Sequence, residues 1–246
     1  MTIASHGFAS VVFDCDSTLA RIEGIDQLAG PFRDRIAALT DAAMQGAVPL
    51  EDVYGRRLEI IRPTRAQVEA VGRAYVDALM PDAREVVAAL MWLGKTVRIL
   101  SGGLRPAVEA AARALGLPAE AVTAVGMEFA DDGTYAGFDT ASPLARSGGK
   151  TEVIRGWHLP RPSLLVGDGV TDREARPAVD AFAAYTAVVH RPAAVDGADF
   201  VLRGESLAPV LSLAATAADR ARLAASEWAD LLARGDAALA VADATR

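Results

Sequence analysis

Two aspartates one residue apart, Asp14 and Asp16, follow the apolar run Val11-Val12-Phe13. β-Branched and aromatic residues predict a buried strand, and aspartate, a poor strand former, predicts where it stops. In open α/β sheets ligands gather outside the carboxyl ends of the strands, so a strand ending in D-x-D carries two acids to the mouth of a site. Carboxylates this close repel one another, and a bound Mg²⁺ would offset that repulsion through hard oxygen ligands. One aspartate can then attack phosphorus while its neighbour handles the proton. A D-x-D on its own is equally at home in a turn, so this reading needs partners elsewhere in the chain.

Three stretches supply them. Ser101-Gly102-Gly103 follows an apolar run and precedes a helix pattern. Its hydroxyl and its freed backbone N–H groups suit phosphate oxygens, and two glycines allow close approach. Lys150 stands behind Gly148-Gly149 at a predicted helix start, where the helix dipole disfavours a cation and an anionic ligand would explain one. Gly167-Asp168-Gly169-Val170-Thr171-Asp172 closes another apolar strand. Asp168 there is placed to complete a Mg²⁺ site, and Asp172 to ligate the ion or to orient a water on it. Asp172 equally suits a helix cap. Acid pair, hydroxyl, lysine and acid pair thus recur in order, each at a strand end or helix start.

The elements that must position these groups alternate from residue 96 onward. Predicted strands cover Thr96–Leu100, Val122–Val125, Leu164–Val166, Ala181–Val189 and Phe200–Leu202, with helices between them and a hairpin turning at Asp131-Asp132-Gly133. That alternation predicts an α/β fold, a Rossmann-like doubly wound parallel sheet with helices on both faces. Residues 22–80 show no strand pattern and read as a helical cap inserted after the first strand. Thr64 with Gln67, and Asp82 with Glu85, read as capping boxes. The expected division is a core of 1–20 and 81–211, a cap of 21–80 and a helical extension of 212–246, alanine-rich and without evident chemistry.

Composition narrows the setting. The 246 residues are 52% hydrophobic, enough for a substantial core, and the formal charge of −7 argues against nucleic-acid or anionic-membrane partners. One cysteine, Cys15, excludes an internal disulfide and suits a reducing compartment. No charged-then-apolar opening and no membrane-length apolar run are present, so the expected location is cytoplasmic.

Taken together, Asp14-Cys15-Asp16-Ser17-Thr18, Ser101-Gly102-Gly103, Lys150 and Gly167–Asp172 resemble the four motifs of the haloacid-dehalogenase superfamily of phosphohydrolases. Glu23-Gly24-Ile25-Asp26, residues 44–49, Arg57-Leu58, Tyr135–Asp139 and Ser147–Lys150 resemble its phosphoserine phosphatase branch. The resemblance spans about residues 9–204. It implies that Asp14 is the nucleophile and Asp16 the acid and base. It implies that Asp14, the Asp16 carbonyl and Asp168 hold Mg²⁺. Ser101, Gly102, Gly103, Lys150 and Thr171 would hold the phosphate of a small phosphomonoester, O-phospho-L-serine. Glu23 would meet its ammonium and Arg57 its carboxylate, with Met44 closing over them and Arg191 nearby. Without the resemblance, Glu23 reads as a helix-start acid and Arg57 as part of a solvated face. Gln45 replaces a small glycine of that family, which puts the lid in question, and the tail leaves a homodimer open. The same core could serve another monoester or a phosphotransferase. A receiver-like signalling module, which also joins a phospho-aspartate, a hydroxyl and a lysine, needs neither Asp16 nor a cap.

Overall fold

The computed structural model describes residues 7–45 and 47–244. The first strand, β1 (Ser10–Phe13), is followed by α1 (Gly24–Gln27), α2 (Arg33–Met44), α3 (Leu50–Ile61) and α4 (Arg65–Asp77) with no strand between them. Next come α5 (Ala83–Trp92), β2 (Thr96–Leu104), α6 (Arg105–Ala114), β3 (Val122–Val125) and an antiparallel pair, β4 (Met127–Phe129) with β5 (Tyr135–Phe138). The chain continues through α7 (Gly149–Gly156), β6 (Ser163–Gly167), α8 (Val170–Glu174), β7 (Ala181–Tyr185), α9 (Pro192–Val195) and β8 (Phe200–Leu202). It ends in α10 (Ala208–Ala214), α11 (Ala217–Ala224) and α12 (Ala229–Ala244).

Six strands form one parallel sheet in the order β3-β2-β1-β6-β7-β8. Every residue of β1, β6 and β7 is buried, as a parallel sheet covered on both faces requires. The chain leaves β1 toward β2 and β3 on one side, then returns to β6, β7 and β8 on the other. The order therefore reverses between β1 and β6, the point at which such sheets open a crevice for a ligand. Phe13 pairs in register with both Ile99 and Val166, so the residues that follow β1 and β6 emerge side by side at that crevice.

Thr64 does form its capping box, accepting from the Gln67 N–H while the Gln67 side chain reaches back. Asp82 does not. Its backbone is left-handed at φ 64° and its side chain makes no cap bond. Instead its carboxylate accepts from Ser206 at 2.5 Å and pairs with Arg234 at 2.7 Å. Partners distant in sequence have taken the oxygens that a local box would need. The strand predicted over Thr96–Leu100 runs on through Ser101-Gly102-Gly103 to Leu104, because Leu104 pairs with Val125 after a register shift. The strand predicted over Ala181–Val189 stops at Tyr185, where its edge partner β8 ends.

The alanine-rich tail folds as a helix pair, α11 and α12, joined to an α10 whose every residue is buried. α10 runs across residues 211 and 212, where the sequence suggested a division. Gly235 is what lets α12 approach α10. A Cβ there would stand 2.4 Å from both the Ala208 carbonyl and the Ser212 hydroxyl. Gly235→Ala should therefore cost about 1–3 kcal/mol, as overpacked cores do. Gly156→Ala, whose Cβ would meet nothing within 4 Å, should stay within about 0.5 kcal/mol of the parent. Denaturant unfolding of the two variants checks this.

Candidate active site

At the carboxyl ends of β1 and β6 the acids converge. Asp14 continues the ladder, its N–H donating to the Val166 carbonyl at 2.9 Å. Its carboxylate accepts from the Cys15 N–H at 2.7 Å and pairs with Lys150 Nζ at 2.9 Å. Lys150 also pairs with Asp172 at 2.7 Å, and all three residues are buried. Asp172 caps the helix as its position suggested, and it also pairs with the lysine. One oxygen receives the lysine and the other accepts from the Gly169 N–H at 3.1 Å, reaching back across the start of α8. Gly167 must be glycine for this, since a Cβ would lie 2.1 Å from the Asp172 carboxyl carbon. Asp168, one residue past β6, is also buried and accepts from Thr18 at 3.4 Å.

Asp16 faces the same space from the turn after β1. Its Oδ1 accepts from the Gly24 N–H at 2.6 Å and the Tyr75 hydroxyl at 2.5 Å, and its Oδ2 from Ser101 at 3.3 Å. The Ser101 hydroxyl also accepts from the Gly103 N–H at 2.9 Å. A cavity of about 590 Å³, counting solvent at its mouth, is lined by Asp14, Asp16, Gly102, Gly103, Lys150, Asp168 and Thr171. Ile25, Leu50, Tyr54 and Leu144 supply apolar wall.

Glu23 and Arg57 line that cavity as well. Arg57 is buried at 3% exposure and donates to Thr40 at 2.8 Å, and Thr40 donates in turn to Asp26. Its Nε has no hydrogen-bond partner among the described residues. This is not the solvated helix face that the bare sequence allows. It is a cation held out of water with donor capacity to spare. Glu23 accepts from Ser17 at 2.8 Å and pairs with Arg191 at 3.2 Å, and Arg191 also pairs with Asp168. Met44 ends α2, but its side chain and Gly46 lie outside the described residues. Gln45 is exposed at the C-cap of α2.

A family model, haloacid dehalogenase-like hydrolase, matches residues 11–176. The chain belongs to that family. Human phosphoserine phosphatase is 39% identical over 199 residues, covering 78% of this chain and 88% of its own. The Arabidopsis thaliana chloroplastic phosphoserine phosphatase is 36% identical over 201 residues, covering 78% and 68%. A solved phospho-aspartyl intermediate analogue of phosphoserine phosphatase shares the fold at TM-score 0.72 and 23% identity, covering 83% of this chain and 98% of its own.

For a haloacid dehalogenase-like hydrolase the charge balance matters. Asp14, Asp168 and Asp172 each offer a carboxylate oxygen, all within 4.8 Å of one another. The buried cations among them are Lys150 and Arg191, and Arg191 is shared with Glu23. Oxygen-only donors with surplus negative charge fit a hard divalent cation. Burial, more than any neighbour, pushes Asp16 up to about 7, with Glu23 and Asp14 adding to it. Burial likewise pushes Asp172 up to about 7 despite Lys150 beside it. Burial opposes the Lys150 charge, yet Asp14 and Asp172 more than offset that and hold its pKa well above the usual lysine value.

Sequence reasoning missed Tyr54, Tyr75, Ser17 and Arg146. Tyr54 sits three residues before Arg57 on one helix face, a spacing that could have flagged it. Tyr75 and Arg146 carry no local signal. A carboxyl whose pKa is raised on folding binds protons more tightly folded than unfolded, so stability falls as pH rises between the two values. Asp16 and Asp172 move from 3.8 to about 7. In EDTA the melting temperature should therefore fall as pH rises from about 5 to about 7.5. A divalent cation should flatten that slope. Thermal melts with and without metal check it.

Proposed function

We propose that this chain is a Mg²⁺-dependent phosphoserine phosphatase, releasing L-serine and phosphate. The observation that carries the reading is one cavity lined by two sets of groups. Asp14, Asp16, Lys150 and the Gly102-Gly103 segment suit a phosphoryl group, while Arg57, with a spare buried donor, and Glu23 line the same cavity. An acidic and a basic group beside a phosphate site suit an amino acid carried on a phosphate ester. The relatives' name agrees with that chemistry.

In this mechanism an Asp14 carboxylate oxygen attacks phosphorus, forming the new P–O bond as the ester P–O bond breaks. Asp16 gives its proton to the departing seryl oxygen, and a raised pKa keeps that proton available near neutrality. The product is serine and an aspartyl-phosphate at Asp14. Asp16, now ionised, takes a proton from water as the water oxygen attacks phosphorus. The Asp14–phosphorus bond breaks and phosphate leaves. Lys150 and the Ser101, Gly102, Gly103 and Thr171 donors neutralise and orient the phosphoryl oxygens throughout. Asp14, the Asp16 carbonyl and Asp168 would hold Mg²⁺, with Asp172 behind them, and the ion would supply charge stabilisation to the phosphoryl group. Glu23 and Arg57 bind the ammonium and carboxylate of the substrate.

Asp14→Asn should leave the fold intact and turnover below a few per cent, since the amide cannot attack phosphorus. For specificity, kcat/KM for phosphoserine should exceed that for phosphoethanolamine and for 3-phosphoglycerate, because each lacks the charged group that Arg57 or Glu23 would meet. Sites built on such matching discriminate by up to about 10⁴-fold. Glu23→Gln should erode rejection of 3-phosphoglycerate, and Arg57→Ala rejection of phosphoethanolamine. Equal wild-type values for the three esters would remove phosphoserine as substrate and leave a phosphatase of other specificity.

A further inference from the structure

Asp16 lies beyond β1, where its backbone makes an isolated bridge to Ala20, and it must present one oxygen to the cavity at a fixed angle. Two donors converge on its other oxygen. The Tyr75 hydroxyl lies 2.5 Å from Oδ1 and the Gly24 N–H 2.6 Å from it. Tyr75 is fully buried on α4. One turn earlier, Gly72 brings α4 so close to α6 that a Cβ on it would stand 2.9 Å from the Ala110 Cβ. The tyrosine is thus anchored through its own helix to α6, which follows the Ser101-Gly102-Gly103 end of β2. Gly24 fits the same arrangement from the other side, since a Cβ there would lie 2.1 Å from the Tyr75 hydroxyl. A glycine at 24 is what allows both donors onto one oxygen.

We propose that Tyr75 and Gly24 form a two-donor clamp on Asp16 Oδ1, which leaves Oδ2, beside Ser101, as the oxygen that exchanges the proton. Tyr75 is a positioning residue: it touches neither phosphorus nor the leaving group and acts through Asp16. The inference rests on the acid–base role of Asp16 given above. Without the hydroxyl the carboxylate keeps the Gly24 N–H on Oδ1 and the longer Ser101 contact on Oδ2, and is freer to rotate about its own bond. Misplacement of a catalytic group by about 1 Å can cost about 10²-fold in rate.

The test is a double-mutant cycle on phosphoserine hydrolysis, using the full chain with Mg²⁺ and radiolabelled ester so that slow turnover is measurable. Tyr75→Phe keeps the ring and removes only the donor. It should lower kcat by about 10–100-fold, with KM within about threefold and the melting temperature close to the parent. Gly24→Ala, which displaces the hydroxyl, should reproduce the loss. In an Asp16→Asn background Tyr75→Phe should have no further effect, because a residue acting through Asp16 has nothing left to position. Unchanged kcat in Tyr75→Phe would overturn the clamp, and so would an undiminished loss in the Asp16→Asn background. Full activity of Asp16→Asn itself would overturn the acid–base reading instead, which keeps the two failures apart.

Discussion

Burying Lys150 between Asp14 and Asp172, at 2.9 and 2.7 Å, removes three charges from water at once. Each such ion forfeits several kcal/mol of hydration, and only close geometry with further hydrogen bonds recovers it. Much of the surrounding structure supplies that geometry. The matched registers of β1 with β2 and β6 set Asp14 beside the end of β6. Gly167 makes room for the Asp172 carboxylate, and the Gly169 N–H holds its second oxygen. Lys150 enters from the first turn of α7, a place that the helix dipole makes unfavourable for a cation. The two carboxylates offset that cost. The trio remains net negative, which is the condition a divalent cation or a proton would relieve.

The helices between β1 and α5 close over this charged floor and also bond to it. Tyr54 of α3 donates to the Gly102 carbonyl at 2.7 Å. The Leu50 N–H donates to the Ser147 hydroxyl at 3.1 Å, and Glu51 accepts from the Ser147 N–H at 2.9 Å. Those contacts tie α3 to the end of β2 and to the loop before Lys150. Arg57, on the same helix, is thereby held over the cavity with its charge out of water. Holding that charge out of water strengthens the electrostatic contacts it makes.

What could be read from the sequence was whatever depends on near neighbours in the chain. Asp14 and Asp16 announce themselves because aspartate ends an apolar run, and Thr64-Arg65-Ala66-Gln67 because a capping box spans one turn. The parallel sheet followed from the alternation of elements. Asp82 misled because its pattern is local but its partners, Ser206 and Arg234, are more than a hundred residues away. The extent of β2 was misjudged because glycines signal a break, while pairing with β3 carries the strand through them. Tyr75 was invisible for the same reason. Its contact with Asp16 spans 59 positions and depends on how closely α4 and α6 approach. Arg191 was placed near the substrate by resemblance alone, and its ion pairs with Glu23 and Asp168 required the fold.

The last three helices lie beyond the 11–176 span of the family match and still belong to the buried core. Two of their attachments lie at the other end of the sheet from the acids. The Phe8 N–H donates to the Ala214 carbonyl, and Lys95 pairs with Asp219 at 2.7 Å with both side chains nearly buried. Phe8 precedes β1 and Lys95 precedes β2, so these contacts cluster where parallel strands begin. The chemistry clusters where they end. A parallel sheet thus separates the two tasks by the length of its strands. Substitutions at the Phe8–Ala214 and Lys95–Asp219 contacts act on the anchoring of β1 and β2, whereas the residues at the carboxyl ends trade stability for a concentration of buried charge. The tail adds apolar burial at the end of the molecule where none of that charge has to be accommodated.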